Sequence, residues 1–238
     1  MILEREYSIG PRDVGTSNLL TNSGMLSILE DIACLHSDIV GYGVNQLPQT
    51  NLSWVILNWK VSMFSRVSHA ATLKVKTWAR KYNKFVTLRD FEIYNEDNIL
   101  IGIASSKWAL IDATTGRLAK ITDEVMNAYD PEDKHVFEDL DIDKLKEPNL
   151  DSKEPTFSFK VLKRDIDVNK HMHNLYYLDY ACEVIPEGLN INNFEIMYKT
   201  AARLGEEVNC FYVVQDNCHY VIMKNKTNDK LNCIVKLY

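Results

Sequence analysis

The sequence predicts an α+β protein built from two similar halves, each an antiparallel sheet packed on one central helix. Three observations point there. Shifted by 152 residues without gaps, the chain meets itself: Tyr7 falls on Phe159, Arg12-Asp13-Val14 on Arg164-Asp165-Ile166, Asn22 on Asn174 and Leu26 on Leu178. Each half holds a single stretch with helical periodicity. Every other periodic stretch is a run rich in Val, Ile, Trp, Tyr and Phe, the residues that favour strands.

In the first half a strand is expected at 2–9, then a loop and a helix over about 22–40. In that helix Met25, Leu26, Leu29, Ile32, Ala33 and His36 form a stripe at helical spacing. The stripe reads as core, and the same apolar surface suits an alkyl chain. Strands follow at 52–64, 72–82, 85–94 and 99–111, with Asn95-Glu96-Asp97-Asn98 as a turn between the last two. The second half repeats the order: a strand at 156–163, a helix at 174–184, and strands at 194–202, 208–214, 219–224 and 231–238. Between the halves, 123–154 has two prolines, excess acid and no sustained period, so it reads as a linker. The expected domains are therefore 1–122, an acidic linker at 123–154, and 155–238.

The 238 residues are 46% apolar and 25% charged with a net charge of −6, ordinary for a soluble globular protein. The charged start, Met1-Ile2-Leu3-Glu4-Arg5-Glu6, is unlike a secretory signal. No apolar run approaches the roughly 20 residues that span a bilayer. Five cysteines, an odd number with no C-x-x-C pair, suit reduced thiols in a cytoplasmic setting. Charge is unevenly spread. No acid lies between Asp38 and Asp90, while Lys74, Lys76, Arg80, Lys81 and Lys84 do, so this stretch is expected to face an anionic partner. Nucleic acid is not expected, given the acidic balance and the lack of a binding motif.

The chemistry is concentrated in Arg164-Asp165-Ile166-Asp167-Val168-Asn169-Lys170-His171-Met172-His173-Asn174. A carboxylate, an amide and an imidazole are what hydrolysis of an activated acyl group needs: a base for water, an orienting group and oxyanion support. Asn174 reads as the cap of the helix that follows. His171 and His173 lack a third ligand at metal-site spacing, so no metal is expected.

With these residues in view, the chain resembles the bacterial acyl-acyl-carrier-protein thioesterases, relatives of the plant fatty-acyl thioesterases. The first half carries the strings SWVIL (53–57), TW (77–78), RDFEI (89–93) and SKWALID (106–112), and the second carries Asp165-x-Asp167-x-Asn169-x-His171 with Asn174. The resemblance implies a double hotdog fold. It also implies hydrolysis of the thioester that joins a fatty acyl chain to carrier-protein phosphopantetheine in fatty acid biosynthesis, without cofactor. Asp167, Asn169 and His171 then carry the family's catalytic motif, and the acyl carrier protein would dock on the basic stretch. Asn174, Trp54, Met25 and Leu29 are expected at the substrate. The first half has Leu19 at the position of His171, so it is expected to serve as scaffold and acyl-pocket wall. A duplicated hotdog implies a monomer or homodimer. One departure stands out: the family's Glu and Cys positions fall on Ala201 and Ala202, which can neither take a proton nor attack a carbonyl, with Glu195, Glu206 and Cys182 nearby in sequence. Hydrolysis of acyl-CoA, or acyl binding without cleavage, are the competing readings.

Overall fold

Local sequence signals place most elements where they stand. In the computed structural model, which describes residues 1–81, 83–150, 153–189 and 191–238, the chain divides into two compact units, 1–142 and 143–238. The boundary falls inside the stretch expected to link the halves. Tyr82, the last residue of one expected strand, and Asp151 and Ser152 of the expected linker lie outside the described residues.

The first unit contains β1 (Leu3–Ser8), α1 (Asn22–Ile39), the short α2 (Leu47–Thr50), β2 (Leu52–Met63), β3 (Thr72–Arg80), β4 (Val86–Tyr94), β5 (Leu100–Asp112) and α3 (Asp123–Ala128). Its sheet runs β1-β3-β4-β5-β2 with every neighbour antiparallel. The hydroxyl of Thr21 caps α1 by accepting from Gly24 N at 2.9 Å. Met25, Leu26, Leu29 and Ile32 are wholly buried along it, and the helix lies against β1 and β3. Gly41, at φ +87°, follows its C-terminus in the left-handed conformation that suits glycine.

Two short helices were not expected. α2 begins around Pro48, whose fixed φ suits a first helical turn. α3 starts at a capped Thr122, with Asp123 and Glu124 in its first turn. It buries Val125 and Met126 beside Ile121, Tyr129, Ala79 and Leu110. Residues 130–142 then cross the outer face of the sheet. Trp78 Nε1 donates to Lys134 O at 2.9 Å, Val136 N to Asp90 Oδ2 at 3.2 Å, and Arg80 Nη2 to Leu140 O at 3.0 Å.

The second unit holds β6 (Phe157–Lys160), α4 (Asn174–Val184), β7 (Asn193–Tyr198), β8 (Glu207–Gln215), β9 (Cys218–Asn225) and β10 (Leu231–Leu237). Its sheet order is β7-β10-β9-β8-β6, again antiparallel. Numbered within each unit, both sheets run first, third, fourth, fifth, second strand, so the repeat in the sequence is a repeat of topology. Two strands are shorter than expected. β6 stops at Lys160 because the Asp165 carboxylate accepts from Leu162 N at 2.8 Å and turns the chain. β7 stops at Tyr198, ahead of a turn in which Glu206 N donates to Arg203 O at 3.0 Å. Among the described residues no helix is long and apolar enough to cross a membrane.

Candidate active site

The polar string folds into a closed loop between β6 and α4. Its base is Asp165, wholly buried, which also accepts from the Tyr180 hydroxyl at 3.2 Å and lies 3.4 Å from Arg164 Nε. Tyr180 stacks on Phe159 with centroids 3.6 Å apart, tying loop, helix and strand together. Asp165 is thus a structural anchor. An isolated bridge between Ile166 and Met172 closes the loop, and Lys170 takes the left-handed conformation at its tip, φ +62°.

Within the loop, Asp167 N donates to His171 O at 2.8 Å. The Asp167 carboxylate answers in the other direction: Oδ1 accepts from Asn169 N at 2.8 Å and His171 N at 3.1 Å, while Oδ2 lies 3.4 Å from Asn169 Nδ2. The three expected catalytic residues are therefore brought together. Asp167 meets Asn169 through side chains and His171 through its backbone. Asp167 and His171 are half-buried and Asn169 is exposed, so water reaches all three.

The helix cap is His173, not Asn174. His173 Nδ1 accepts from Leu175 N at 3.3 Å, and Asn174 is the first helical residue. The imidazole takes the cap because the backbone N–H of His173 is drawn back to Asp165 O at 2.8 Å, which holds the residue in extended conformation at the cap position. Tyr176 N donates to His173 O at 3.1 Å. The backbone N–H of Asn174 is left without an acceptor among the described residues, next to the positive end of the helix.

Tyr177, which the sequence reading did not single out, joins the loop to the chain after β7. Its buried hydroxyl accepts from Ala202 N at 2.9 Å, and Met172 N donates to Ala202 O at 2.8 Å. Burial pushes the Tyr177 pKa far above its ordinary range, and the nearby charges of Glu206 and Asp167 add to the rise. Its sequence signal was an aromatic at core spacing in a helix, which packing alone would explain.

Ala201 is exposed and Ala202 buried. The acids near them in sequence are engaged: Glu195 pairs with Lys236 at 3.1 Å, and Glu206 accepts from Arg203 N at 3.0 Å. The buried thiols offer no ready nucleophile, since burial raises Cys210 to about 12 and Cys233 well above its ordinary value.

In the first unit Trp54 is partly exposed, whereas Met25 and Leu29 are fully buried. The basic stretch is in good part spoken for. Lys76 pairs with Glu4 at 3.1 Å and Arg80 with Asp90 at 3.2 Å, and Lys74 donates to Asn98 at 2.6 Å. The acidic crossing segment adds Asp139 on Lys60 at 3.2 Å and Asp141 on Lys107 at 2.6 Å. Lys81 and Lys84 stay exposed, as do Lys163, Arg164, Lys170 and Arg203 around the loop.

Comparison with known proteins gives consistent matches. The model of the acyl-ACP thioesterase N-terminal domain matches residues 2–129, and that of the C-terminal domain matches 146–237. The palmitoyl-acyl carrier protein thioesterase of Cuphea hookeriana is 30% identical over 200 residues, covering 78% of this chain and 47% of the relative. Oleoyl-acyl carrier protein thioesterase 2 of Arabidopsis thaliana is 25% identical over 198 residues, covering 77% and 54%. The chain thus spans about half the length of these curated relatives. The crystal structure of an acyl-ACP thioesterase from Bacteroides thetaiotaomicron superposes with a TM-score of 0.85 at 24% identity, covering 99% of this chain and 96% of that one. The 12:0-ACP thioesterase of Umbellularia californica gives 0.86 at 19%, with the same coverage. Antiparallel sheets with few helices are the fold shared with both.

Proposed function

Because the chain belongs to the acyl-ACP thioesterase family, we propose that it hydrolyses the thioester between a fatty acyl chain and carrier-protein phosphopantetheine, releasing the free fatty acid. The observation that carries this is the closed loop holding Asp167, Asn169 and His171 beside an open helix-end amide. Each unit is a hotdog domain, a five-stranded antiparallel sheet with one long helix, and the pair is a tandem duplication. The second unit carries the chemistry. The first, extending to Ile142, serves as scaffold and meets the alkyl chain through Trp54.

The geometry supports the following roles. Asp167 Oδ1 already accepts two backbone N–H groups, so Asp167 acts as the positioning residue that shapes the loop and fixes Asn169. His171, pinned through both backbone groups, is the base. A water held by Asn169 attacks the thioester carbon while the imidazole takes its proton. The Asn174 N–H receives the developing oxyanion charge. As the C–S bond breaks, the imidazolium returns the proton to the departing thiolate. General-base help of this kind is worth about 10²–10⁴-fold, and a thiolate is a good enough leaving group for that to suffice. With Ala201 and Ala202 where the family places an acid and a thiol, direct attack by water replaces attack by cysteine.

The carrier's docking surface is the exposed cationic rim of the loop, Lys163, Arg164, Lys170 and Arg203, and not the paired stretch at Lys74, Lys76 and Arg80. The test is fatty-acid release from matched acyl-carrier-protein and acyl-CoA thioesters. We expect turnover on the carrier-linked substrate with a clearly higher kcat/KM than on CoA. Equal or greater efficiency on CoA would make the chain an acyl-CoA thioesterase, and stable retention of intact thioester would make it a binding protein.

A further inference from the structure

The loop that holds Asp167 and His171 has a counterpart in the first unit, with the same backbone ring. Gly15 N donates to Leu19 O at 3.0 Å, as Asp167 N does to His171 O at 2.8 Å. Asn18 N donates to Gly15 O at 2.9 Å, as Lys170 N does to Asp167 O at 3.1 Å. Thr21 N and His173 N each return to the carbonyl of an anchoring aspartate, Asp13 or Asp165, at 2.8 Å. Those two carboxylates accept from Gly10 N at 2.7 Å and Leu162 N at 2.8 Å. The bridge between Val14 and Leu20 repeats the one between Ile166 and Met172. Matching residues stand 152 positions apart, so one ring is built twice from different side chains.

The ring takes a left-handed residue at its tip. Asn18 supplies it at φ +60° in the first unit and Lys170 at φ +62° in the second. Asparagine tolerates this conformation because its short amide can bond locally, whereas in lysine Cβ crowds the following carbonyl without that relief. The rest of the chain follows the same preference. Of the nine non-glycine residues with positive φ among the described residues, seven are Asn or Asp, and Lys170 alone has a long side chain. The fold would be better served by the residue that stands at position 18. Strain of this kind persists where the side chain has another task. Lys170 is exposed, and its ammonium pairs with no acid among the described residues. The Asp167 carboxylate beside it accepts from backbone N–H groups instead. Lys163, Arg164 and Arg203 are exposed around the same loop, so the local field favours an anion.

We infer that Lys170 is a specificity-determining residue that contacts the phosphate at the far end of the substrate's pantetheine arm. A compact charge on a flexible four-carbon stem suits a phosphate approached from solvent. The inference rests on the hydrolytic reading of the loop and adds to it a contact with the arm itself, separate from the carrier's protein surface.

The experiment compares phosphopantetheine and pantetheine thioesters, each in dodecanoyl and hexadecanoyl form, which differ only in the phosphate and contain no carrier protein. Acyl-carrier-protein of the same chain lengths is run alongside, with wild type, Lys170→Asn and Lys170→Arg. Wild type should favour the phosphorylated thioester by about fivefold in kcat/KM, the factor for one charge pair at contact in water, and salt should shrink the preference. Lys170→Asn should abolish the preference, with the loss falling on KM, and should raise Tm by about 1–3 °C as the strain is relieved. Lys170→Arg keeps charge and strain, and should keep both the preference and the wild-type Tm. Equal efficiency of wild type on the two thioesters, a preference that survives in Lys170→Asn, or a Tm that does not rise in that variant would overturn the inference. A loss confined to acyl-carrier-protein would also overturn it, by placing Lys170 against the carrier's surface. Failure of wild type to cleave any of these substrates defeats the hydrolytic reading and this inference with it, whereas equal cleavage of both small thioesters defeats this inference alone.

Discussion

The Asp167 carboxylate holds its loop together, and in the proposed mechanism it also serves the reaction; two substitutions separate these roles. Asp167→Asn keeps an oxygen for the backbone N–H groups of Asn169 and His171, so unfolding free energy should change little. Asp167→Ala removes that oxygen and should cost about 1–2 kcal/mol in denaturant unfolding. Hydrolysis should fall in both variants. His36 makes a second residue-scale prediction. Burial, then the Arg89 charge, lowers its pKa from 6.5 to about 3. The unfolded chain therefore takes up a proton that the folded chain refuses. Stability is flat above about pH 6.5 and falls as pH drops toward 3, with a limiting slope of about 1.4 kcal/mol per pH unit. Urea unfolding at pH 7, 5 and 4 should show a steeper loss for wild type than for His36→Gln, and parallel losses would contradict this. The spacing of Asp167, Asn169 and His171 was legible because their contacts are local. His36 with Arg89, and Tyr177 with Ala202, were not, because those contacts join residues far apart in sequence.

At the scale of elements, Tyr177 pins α4 to the segment after β7. Tyr177→Phe removes the acceptor for the buried Ala202 N–H and should destabilise the protein by about 1–3 kcal/mol, measured by chemical denaturation. Gly24 marks a close approach in α1. A Cβ there would lie 2.6 Å from the Asp13 carbonyl oxygen, a backbone atom. Gly24→Ala should lower stability by about 1–3 kcal/mol although alanine is the better helix former, because the overlap outweighs propensity. An increase in Tm would show that the loop around Asp13 yields. Both long helices and the ten strands among the described residues were legible from periodicity and β-branched runs. The ends of β6 and β7 were not, since the Asp165 carboxylate and the Arg203–Glu206 turn override local strand preference. The cap signal at Thr122 was present but lay hidden in an acidic stretch without period.

Across the whole chain, charge was easier to read than its destination. The basic run in the first half suggested an external anionic partner, but residues 130–142 fold onto part of it and bring Asp139 to Lys60 and the Leu140 carbonyl to Arg80. Linear charge patterns do not reveal which segment will cover a face. The cations beside the loop stay exposed, and the proposed carrier docking rests on them. Lys170→Glu and Arg203→Glu should raise KM for acyl-carrier-protein with smaller effects on kcat, and the difference should shrink as salt is added. The same reversal at Lys76, already paired with Glu4, should change KM little. The topological repeat was legible from the 152-residue offset because the matched residues keep their order even where identities are few. The measurement that bears most directly on the proposed chemistry is single-turnover release of fatty acid from acyl-carrier-protein by wild type and His171→Ala, with matched Tm. A loss of at least about 10²-fold in the chemical step is predicted; release by the variant at the wild-type rate would contradict the assignment of His171 as base.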